Sequence, residues 1–229
     1  MIFGGFEKCT LIDYPGKTAC MVYTIGCNFR CPYCHNPELV DETVTTTISE
    51  EEVLSFLDTR HGLLDGVVIT GGEPTIHEDL IPFIEKVKAK GFLVKLDSNG
   101  TAPHILKEVV EKKLVDYIAM DIKSPLTKYS QTVTRPADIE AIQESVEFLK
   151  TSGVPYEFRT TIVKSLLSEE DILTIGKEIQ GASHYFLQAF VPTKILNPQL
   201  RKKVTYSKEE LDELCEKVRP YVQYCAVRW

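Results

Sequence analysis

The chain contains 229 residues, of which 43% are hydrophobic and 26% charged, and its formal net charge is −7. This length and composition favour one soluble globular domain over residues 1–229 and argue against a disordered protein. The acidic balance, without a long basic run, disfavours a nucleic-acid partner. No apolar run approaches the ~18 residues that a membrane span requires, so we expect no association with a membrane.

Neither a secretory signal nor a disulfide framework is indicated. The amino terminus lacks a basic segment followed by an apolar core, so we expect a cytoplasmic protein. Three of the seven cysteines fall close together, which favours reduced, metal-binding thiols over disulfides. We expect the remaining four to be small buried apolar residues, namely Cys9, Cys20, Cys215 and Cys225.

Apolar, β-rich runs alternate with helical patterns along the chain, which is typical of parallel βα units. The runs predict strands at 18–25, 66–70, 92–97, 116–121, 155–163 and 184–191. A last apolar stretch at 221–227 predicts either an edge strand or a packed terminus. Six βα units are too few for the usual eight-stranded barrel. We therefore expect an α/β protein with a partial, open (β/α)6 TIM-like barrel and a short N-terminal extension, the alternative being a flat doubly wound sheet.

The loop after the first predicted strand carries Cys27, Cys31 and Cys34 in a CxxxCxxC spacing. Such a loop can aim three thiolates at a cube-shaped iron-sulfur cluster. The cluster takes four ligands, so one iron is left open for chemistry, as in catalytic metal sites generally. The alternative is a structural zinc site in which His35 completes a Cys3His set.

Polar residues follow the next three predicted strands. They are Gly71, Gly72 and Glu73, then Asp97, Ser98 and Asn99, then Asp121 and Lys123. Glycines let backbone approach a ligand, a carboxylate can bind an ammonium group, and small polar side chains can bind ribose hydroxyls. Any one group could be only a turn, a helix cap or a surface ion pair. Together they suit a polar, zwitterionic ligand that contains a nucleoside and lies beside a metal cluster.

These motifs resemble the radical S-adenosylmethionine superfamily, through CxxxCxxC with an aromatic residue before the third cysteine and through Gly-Gly-Glu-Pro at 71–74. Within it, Asp-Tyr-Pro-Gly at 13–16, Asp-Ser-Asn-Gly at 97–100 and Asp-Ile-Lys at 121–123 resemble activating enzymes of glycyl-radical enzymes, most of all those of anaerobic ribonucleoside-triphosphate reductase. The resemblance implies an oxidoreductase with a [4Fe-4S] cluster on Cys27, Cys31 and Cys34. It also implies reductive cleavage of S-adenosylmethionine to a 5′-deoxyadenosyl radical, which takes a hydrogen atom from a glycine of a partner enzyme.

The resemblance implies a role for each strand-end group. Tyr33 would lie near adenine, the 71–73 loop would hold the methionine end, and Ser98 and Asn99 would lie near the ribose or the sulfonium. Arg159 and Gln188, on the last two predicted strands, point to the barrel mouth or interior, where Arg159 pairs either with the cofactor or within the protein. We thus expect the cofactor site to contain Tyr33, Gly71, Gly72, Glu73, Asp97, Ser98, Asn99, Asp121, Lys123, Arg159 and Gln188.

Asp97 and Asp121 end neighbouring predicted strands, near a third carboxylate on S-adenosylmethionine. Three carboxylates repel one another unless a cation lies between them. One hypothesis is that the two aspartates bind Na⁺ or K⁺ through oxygen ligands. The alternative is that Lys123 neutralises one of them.

The resemblance also bears on partners. Asp13 is expected to contact the glycine-bearing peptide, with Tyr14 where relatives carry glycine, the alternative being a simple β-turn. We expect flavodoxin or ferredoxin as electron donor and anaerobic ribonucleotide reductase as the glycyl-radical partner. Two other functions stay open, a radical enzyme acting on a small molecule, of the deazapurine-forming type, and a zinc or redox module without turnover.

Overall fold

The computed structural model describes residues 1–203 and 205–229, and the strands in that part of the chain form one nine-stranded sheet. In chain order they are β1 (Ile2–Thr10), β2 (Ala19–Thr24), β3 (Ile48–Ser49), β4 (Gly66–Gly71), β5 (Leu93–Ser98), β6 (Tyr117–Asp121), β7 (Tyr156–Ile162), β8 (Tyr185–Ala189) and β9 (Cys225–Arg228). Their order across the sheet is β3-β1-β2-β4-β5-β6-β7-β8-β9. β1 pairs antiparallel with β2 and β3, whereas β2 and the strands from β4 to β9 are parallel to one another.

Helices occupy the connections between the parallel strands. They are α1 (Pro37–Val40), α2 (Glu50–Asp58), α3 (Leu80–Ala89), α4 (Pro103–Glu111), α5 (Tyr129–Val133), α6 (Ile139–Thr151), α7 (Glu169–Glu178) and α8 (Lys208–Val218). Three of them, α2, α7 and α8, begin at capping boxes with Ser49, Ser168 and Ser207 as the capping residues. In each box the serine hydroxyl accepts from the backbone N–H of the third helical residue, whose carboxylate accepts from the serine N–H. Local sequence therefore determines where these three helices begin.

The predicted architecture is confirmed. All six predicted strands are present, and the last apolar stretch adds β9 as a further parallel strand beside β8. The sheet is open, with β3 and β9 at its edges. Parallel strands follow one another in chain order, without the reversal of order that defines a doubly wound sheet. A partial barrel therefore describes the fold, and the flat alternative does not.

The N-terminal extension is larger than the sequence indicated. β1 is a nine-residue strand that continues the sheet beyond β2. Its sequence contains two glycines, Gly4 and Gly5, and lacks the regular alternation that identifies a half-buried strand. Long-range pairing with β2 therefore decides its structure.

One face of the sheet packs against the helices and contains the main apolar core. Val67, Ile69 and Leu96 are fully buried there, in the same cluster as helical residues such as Ile84 and Leu149. The described chain contains no helix of the length and apolarity that crossing a bilayer demands.

The opposite, inner face changes character along the strands. Near their amino ends, Tyr14, Met21 and Val68 form a small apolar cluster. Val68 lies opposite Lys95 in the register of β4 and β5, so Lys95 shares this face. Because strand side chains alternate between faces, Asp97 lies on it as well, nearer the carboxyl ends. The inner face thus becomes charged where the strands end.

Candidate active site

A pocket of ≈ 190 Å³ lies at the carboxyl ends of the parallel strands. The predicted site residues that line it are Cys27, Cys31, Tyr33, Cys34, Gly71, Gly72, Glu73, Asp97, Ser98, Asn99, Asp121 and Lys123. The other predicted residues, Arg159, Gln188 and Asp13, are not part of its lining. Residues that lie far apart in the chain are thus gathered at one edge of the sheet, where ligands bind in barrels of this kind.

The cysteine loop lies between β2 and α1 and is held by backbone hydrogen bonds from several directions. Gly26 N donates to Leu39 O at 2.8 Å, and Arg30 N donates to Val133 O at 3.0 Å. Leu196 N donates to Cys34 O at 3.0 Å. An irregular loop is therefore fixed by three segments that all follow it in the chain, which holds the thiols in place without regular secondary structure.

The three thiols are at least half buried on one side of the pocket. Burial raises the pKa of Cys27 to about 12, and the carboxylate of Glu73 acts in the same direction. Burial also raises the pKa of Cys31 and Cys34, whereas the charge of Lys123 acts against burial at all three thiols. A positively charged metal centre stabilises the thiolate forms that such burial disfavours.

The residues present fit a cube-shaped cluster with one open position. Three thiols share a pocket with polar side chains such as Glu73 and Lys123, and the buried Tyr33 hydroxyl has no hydrogen-bond partner among the described residues. Within that same part of the chain no three His, Cys, Asp or Glu side chains are arranged around a single ion. A cubic cluster does not need that arrangement, since each thiolate binds a different iron. His35, the fourth ligand of the zinc alternative, also lines this pocket but is exposed, and its ring centroid lies 6.0 Å from that of Phe190.

The two glycines at 71–72 serve a purpose that differs from the expected one. A Cβ on Gly72 would overlap the carbonyl oxygen of Gly26, and one on Gly71 would overlap the backbone of Thr24. Gly72 N donates to Thr24 O, and Glu73 N donates to Gly26 O, both at 2.9 Å. The close approach that requires glycine is therefore to the backbone leading into the cysteine loop, and it joins the two loops directly.

Glu73 is buried and bridges two strand ends. Its Oε1 accepts from Thr75 N at 3.1 Å, from Thr75 Oγ1 at 2.5 Å and from Ser98 Oγ at 2.9 Å. Among the described residues its Oε2 accepts from Asn99 N alone, at 2.7 Å. Since a carboxylate oxygen has two lone pairs, Oε2 retains an acceptor position toward the pocket that Glu73 lines.

Asn28, in the cysteine loop, is a site residue that the sequence did not reveal. Its Oδ1 accepts from Asn99 Nδ2 at 2.8 Å, and its Nδ2 donates to Thr101 Oγ1 at 2.8 Å. Asn28 therefore ties the cysteine loop to the end of β5. It occupies a variable position of the CxxxCxxC spacing, so no motif signals it.

A chain of alternating charges lies beside the pocket on the inner face. Arg159 donates from Nη1 to Asp97 at 3.2 Å and from Nε to Asp121 at 2.9 Å. Lys95 pairs with Asp97, and Lys123 Nζ lies 3.0 Å from Asp121. Lys123 therefore pairs with an aspartate, as in the alternative to the cation hypothesis. Arg159 occupies the position between the two carboxylates that the hypothesis assigned to Na⁺ or K⁺. The sequence left open whether Arg159 pairs with the cofactor or within the protein, and it did not single out Lys95.

These charges set the protonation of the two aspartates. Burial disfavours the charged form of Asp121, but the charges of Arg159 and Lys123 outweigh burial and hold its pKa well below the ordinary value. The pKa of Asp97 is also lowered, because Arg159 and Lys95 outweigh its burial. Both carboxylates are therefore ionised at neutral pH, and three cations surround two anions.

Asp13 and Tyr14 lie at the other end of the parallel strands, in the turn between β1 and β2. Asp13 accepts a hydrogen bond from the Thr10 hydroxyl, and Tyr14 is buried against the apolar end of the inner face. Tyr23 stands between that turn and the pocket. Burial, followed by the carboxylates of Glu7, Asp13 and Asp97, raises its pKa to about 12.

The remaining predictions have separate outcomes. Gln188 lies on β8 opposite Thr161, half buried. Cys20, Cys215 and Cys225 are buried as expected, whereas the prediction for Cys9 is wrong, because it lies exposed on β1.

Comparisons with known proteins identify the family of this chain. Residues 21–178 match the family model described as the radical SAM superfamily. A protein of Methanocaldococcus jannaschii, named as a glycyl-radical enzyme activating enzyme, is 34% identical over 99% of this chain and 95% of its own length. A protein of Pyrococcus horikoshii, named as a GTP 3′,8-cyclase, is 25% identical over 85% of this chain, which spans 63% of that relative.

A solved structure shows the same fold. The radical SAM methyltransferase from Sphaerobacter thermophilus superposes with a TM-score of 0.71 over 96% of this chain and 68% of its own, at 16% identity. The family model covers well over half of the chain, and the relative from Methanocaldococcus jannaschii matches nearly all of it. The chain therefore belongs to the radical S-adenosylmethionine superfamily, whose enzymes use a [4Fe-4S] cluster together with S-adenosylmethionine.

Proposed function

We propose that the chain is an activating enzyme that cleaves S-adenosylmethionine reductively at a [4Fe-4S] cluster and generates a glycyl radical on a partner enzyme. The observation that carries the proposal is the pocket that Cys27, Cys31 and Cys34 share with the 71–73 loop. The similarity to an activating enzyme over 99% of this chain and 95% of that relative supports the class. The cyclase match leaves more than a third of that relative uncovered and supports a small-molecule substrate less.

Each pocket wall has a role in this proposal. Cys27, Cys31 and Cys34 would hold three irons of the cluster. The cluster and S-adenosylmethionine would together supply the chemistry, which is reductive cleavage to methionine and a 5′-deoxyadenosyl radical. The free acceptor position on Glu73 Oε2 would bind the ammonium group of the methionine end. Tyr33 would lie against adenine, with its buried hydroxyl available to the ligands.

Ser98 and Asn99 would act mainly as positioning residues. Ser98 Oγ donates to Glu73 and also accepts from Gly100 N at 3.0 Å, so its bonds are already directed within the protein. The Asn99 side chain bonds to Asn28 and to Thr101. These contacts hold Glu73 and the cysteine loop at a fixed separation, which orients a ligand placed between them.

We further propose that the partner is anaerobic ribonucleoside-triphosphate reductase, that reduced flavodoxin or ferredoxin supplies the electron, and that the whole chain acts in the cytoplasm as one domain. The support is the resemblance of the segments at 13–16, 97–100 and 121–123 to activating enzymes of that reductase. The single continuous sheet of the described residues agrees with one domain.

The test is anaerobic reconstitution of the full chain with iron and sulfide, followed by S-adenosylmethionine, reduced flavodoxin and a candidate partner. Electron paramagnetic resonance should detect a glycyl radical on the reductase and none when its radical glycine is replaced by alanine. The Cys31→Ala variant should give no radical. A radical on a different glycyl-radical enzyme would overturn only the choice of partner. Cleavage of S-adenosylmethionine with turnover of a purine nucleotide, and no protein radical, would overturn the activating function.

Asp13 is the residue that we propose to contact the glycine-bearing peptide. It lies outside the pocket, yet its charge and that of Asp97 both act on Tyr23. The Asp13→Ala variant should cleave S-adenosylmethionine at the normal rate but install few glycyl radicals on the partner. Asp13→Asn, which keeps an acceptor for the Thr10 hydroxyl, separates loss of the turn from loss of the charge. Normal activation by Asp13→Ala would remove this residue from the contact.

A further inference from the structure

A second group of cysteines lies away from the pocket, at the carboxyl-terminal edge of the sheet. Cys215 is on α8, and Cys225 is the first residue of β9. Their Sγ atoms are 2.8 Å apart, although nine residues separate them in the chain. Both are buried, with exposed fractions of 4% and 3%. Neither thiol lines the pocket of the proposed activity.

The two thiols lie at the base of a surface groove. The groove is lined by Asp212 and Glu216 of α8, by Arg219 just after this helix, and by both cysteines. A small reagent can therefore approach the pair, although the core covers most of each side chain. Among the residues described, no three His, Cys, Asp or Glu side chains could hold a metal ion, so the pair does not belong to such a group.

The local electrostatics favour one thiol as the nucleophile. The hydrogen bond with the Cys225 thiol lowers the pKa of Cys215 and outweighs burial. The Arg219 guanidinium acts in the same direction, whereas the carboxylates of Glu216 and Asp212 oppose it. The thiolate is the reactive form of cysteine, and a lower pKa increases its fraction near neutral pH. Cys215 is therefore placed to react first, with Cys225 in contact to complete the exchange.

We propose that Cys215 and Cys225 form an intramolecular disulfide that fastens α8 to β9. The oxidant is a low-molecular-weight disulfide. The Cys215 thiolate attacks one of its sulfurs, forms a mixed disulfide and releases one thiol. Cys225 then loses its proton, attacks Cys215 Sγ and releases the second thiol. Two protein thiols and one external disulfide become one protein disulfide and two external thiols, so atoms and electrons balance.

The bond would strengthen one edge of the sheet. β9 has four residues and, among the described strands, pairs only with β8. A cross-link from α8 closes a short loop and removes conformational freedom from the unfolded chain. For a loop of this length in a protein of this size, we expect the oxidised form to melt on the order of 5 °C above the reduced form.

The experiment uses the cluster-loaded chain under anaerobic conditions, in buffers that range from reduced to oxidised glutathione. After acid quench and denaturation, free thiols are alkylated and the peptides are identified by mass spectrometry. In oxidised buffer we expect one peptide pair joined through Cys215 and Cys225, while the buried Cys20 remains alkylated. The melting temperature, followed by circular dichroism, should rise as the buffer becomes more oxidising. The midpoint potential of this rise should equal that of cross-link formation.

Two variants test whether the cross-link itself causes the rise in melting temperature. Cys225→Ser should melt at one temperature in both buffers, because it cannot form the bond. Cys20→Ser, which replaces a buried cysteine elsewhere in the core, should keep the full shift between buffers. Alkylation of both Cys215 and Cys225 in every buffer would overturn the proposal, as would a shift that survives in Cys225→Ser. None of these readouts depends on glycyl-radical activation.

Discussion

Arg159 donates from Nε to the Asp121 carboxylate at 2.9 Å, and from Nη1 it reaches Asp97 at 3.2 Å. One guanidinium therefore bridges the ends of two neighbouring strands beside the pocket. A bidentate contact of this kind is specific to arginine, because its donors are held in a planar fork. Two carboxylates that would otherwise repel each other are neutralised by the protein itself.

This bridge predicts that cleavage of S-adenosylmethionine does not need Na⁺ or K⁺. Replacing every small monovalent cation with tetramethylammonium should leave the rate of the native enzyme unchanged. In Arg159→Gln the two carboxylates lose their bridge, so the rate should fall and recover in part when K⁺ is added. Arg219→Gln, which removes a surface arginine paired with Glu216, is the control and should behave like the native chain. Loss of native activity in tetramethylammonium would support an ion between the aspartates instead.

Arg159→Gln should also lower the free energy of unfolding. Removing one partner from a buried ion network leaves uncompensated charge, which costs about 3 kcal/mol. Urea unfolding at pH 7 measures this loss, and Arg219→Gln should change stability by less than about 0.5 kcal/mol. Equal stabilities for the two variants would show that Lys95 and Lys123 neutralise the aspartates without Arg159.

The lowered pKa of Asp121 predicts how stability changes in acid. The unfolded carboxyl binds a proton as pH falls through its ordinary value of 3.8, whereas the folded one stays ionised. Below that pH the unfolded state binds more protons, so stability falls with falling pH. We therefore expect the free energy of unfolding of the cluster-free chain, measured with urea, to fall as the pH falls through this range. In Asp121→Asn the slope of this free energy against pH should be smaller by the equivalent of about one proton. An unchanged slope in the variant would mean that other carboxyls carry the effect.

The close approach of Gly72 to Gly26 predicts that an added methyl group separates the two loops of the pocket. Gly72→Ala would place Cβ on the carbonyl oxygen of Gly26, and backbone cannot move aside as a side chain can. We expect the fold to persist, while the iron content after reconstitution falls by roughly tenfold. Iron and sulfide analysis and circular dichroism measure the two effects.

Gly153→Ala is the matched control for this substitution. Gly153 has φ of +77°, so alanine there is strained, but a Cβ would meet nothing within 4 Å. It should lose about 1 kcal/mol of stability and no iron. Full iron content in Gly72→Ala would show that the loops can separate without loss of the cluster.

Lys123 predicts an effect on the reduction potential of the cluster. Its charge lowers the pKa of the three pocket thiols against their burial, so it acts where the cluster would bind. Reduction adds negative charge, which a nearby cation stabilises, and Lys123→Met should therefore lower the potential by tens of millivolts. Potentiometric titration followed by electron paramagnetic resonance measures the shift. Lys128→Met, which removes a half-exposed lysine paired with Asp171, should leave the potential unchanged. A rise in the potential of Lys123→Met would contradict this account.

Much of the fold could be read from local pattern. The strands near 66–70 and 116–121 are short apolar runs, and helices such as α2 and α8 begin at serine capping boxes, so chain neighbours alone determine them. The cysteine spacing and the polar residues at strand ends likewise predicted which side chains meet. Parallel strands place their carboxyl ends at one edge of a sheet whatever the details of packing.

The tertiary structure decided the contacts between residues that are distant in the chain. The sequence could place Glu73, Asp97 and Asp121 at strand ends and Arg159 on the fifth predicted strand. It could not predict the hydrogen bonds of Glu73 to Ser98 and Asn99, nor the position of Arg159 between two carboxylates. The long strand β1, the contact of Gly72 with Gly26 and the pairing of Cys215 with Cys225 also depend on register and approach across the sheet. Sequence alone predicted most of the chemical groups that meet at this edge of the sheet, because local periodicity fixes where each strand ends, but it did not reveal Asn28 or Lys95. The partners of those groups follow only from packing, since geometry in three dimensions selects them.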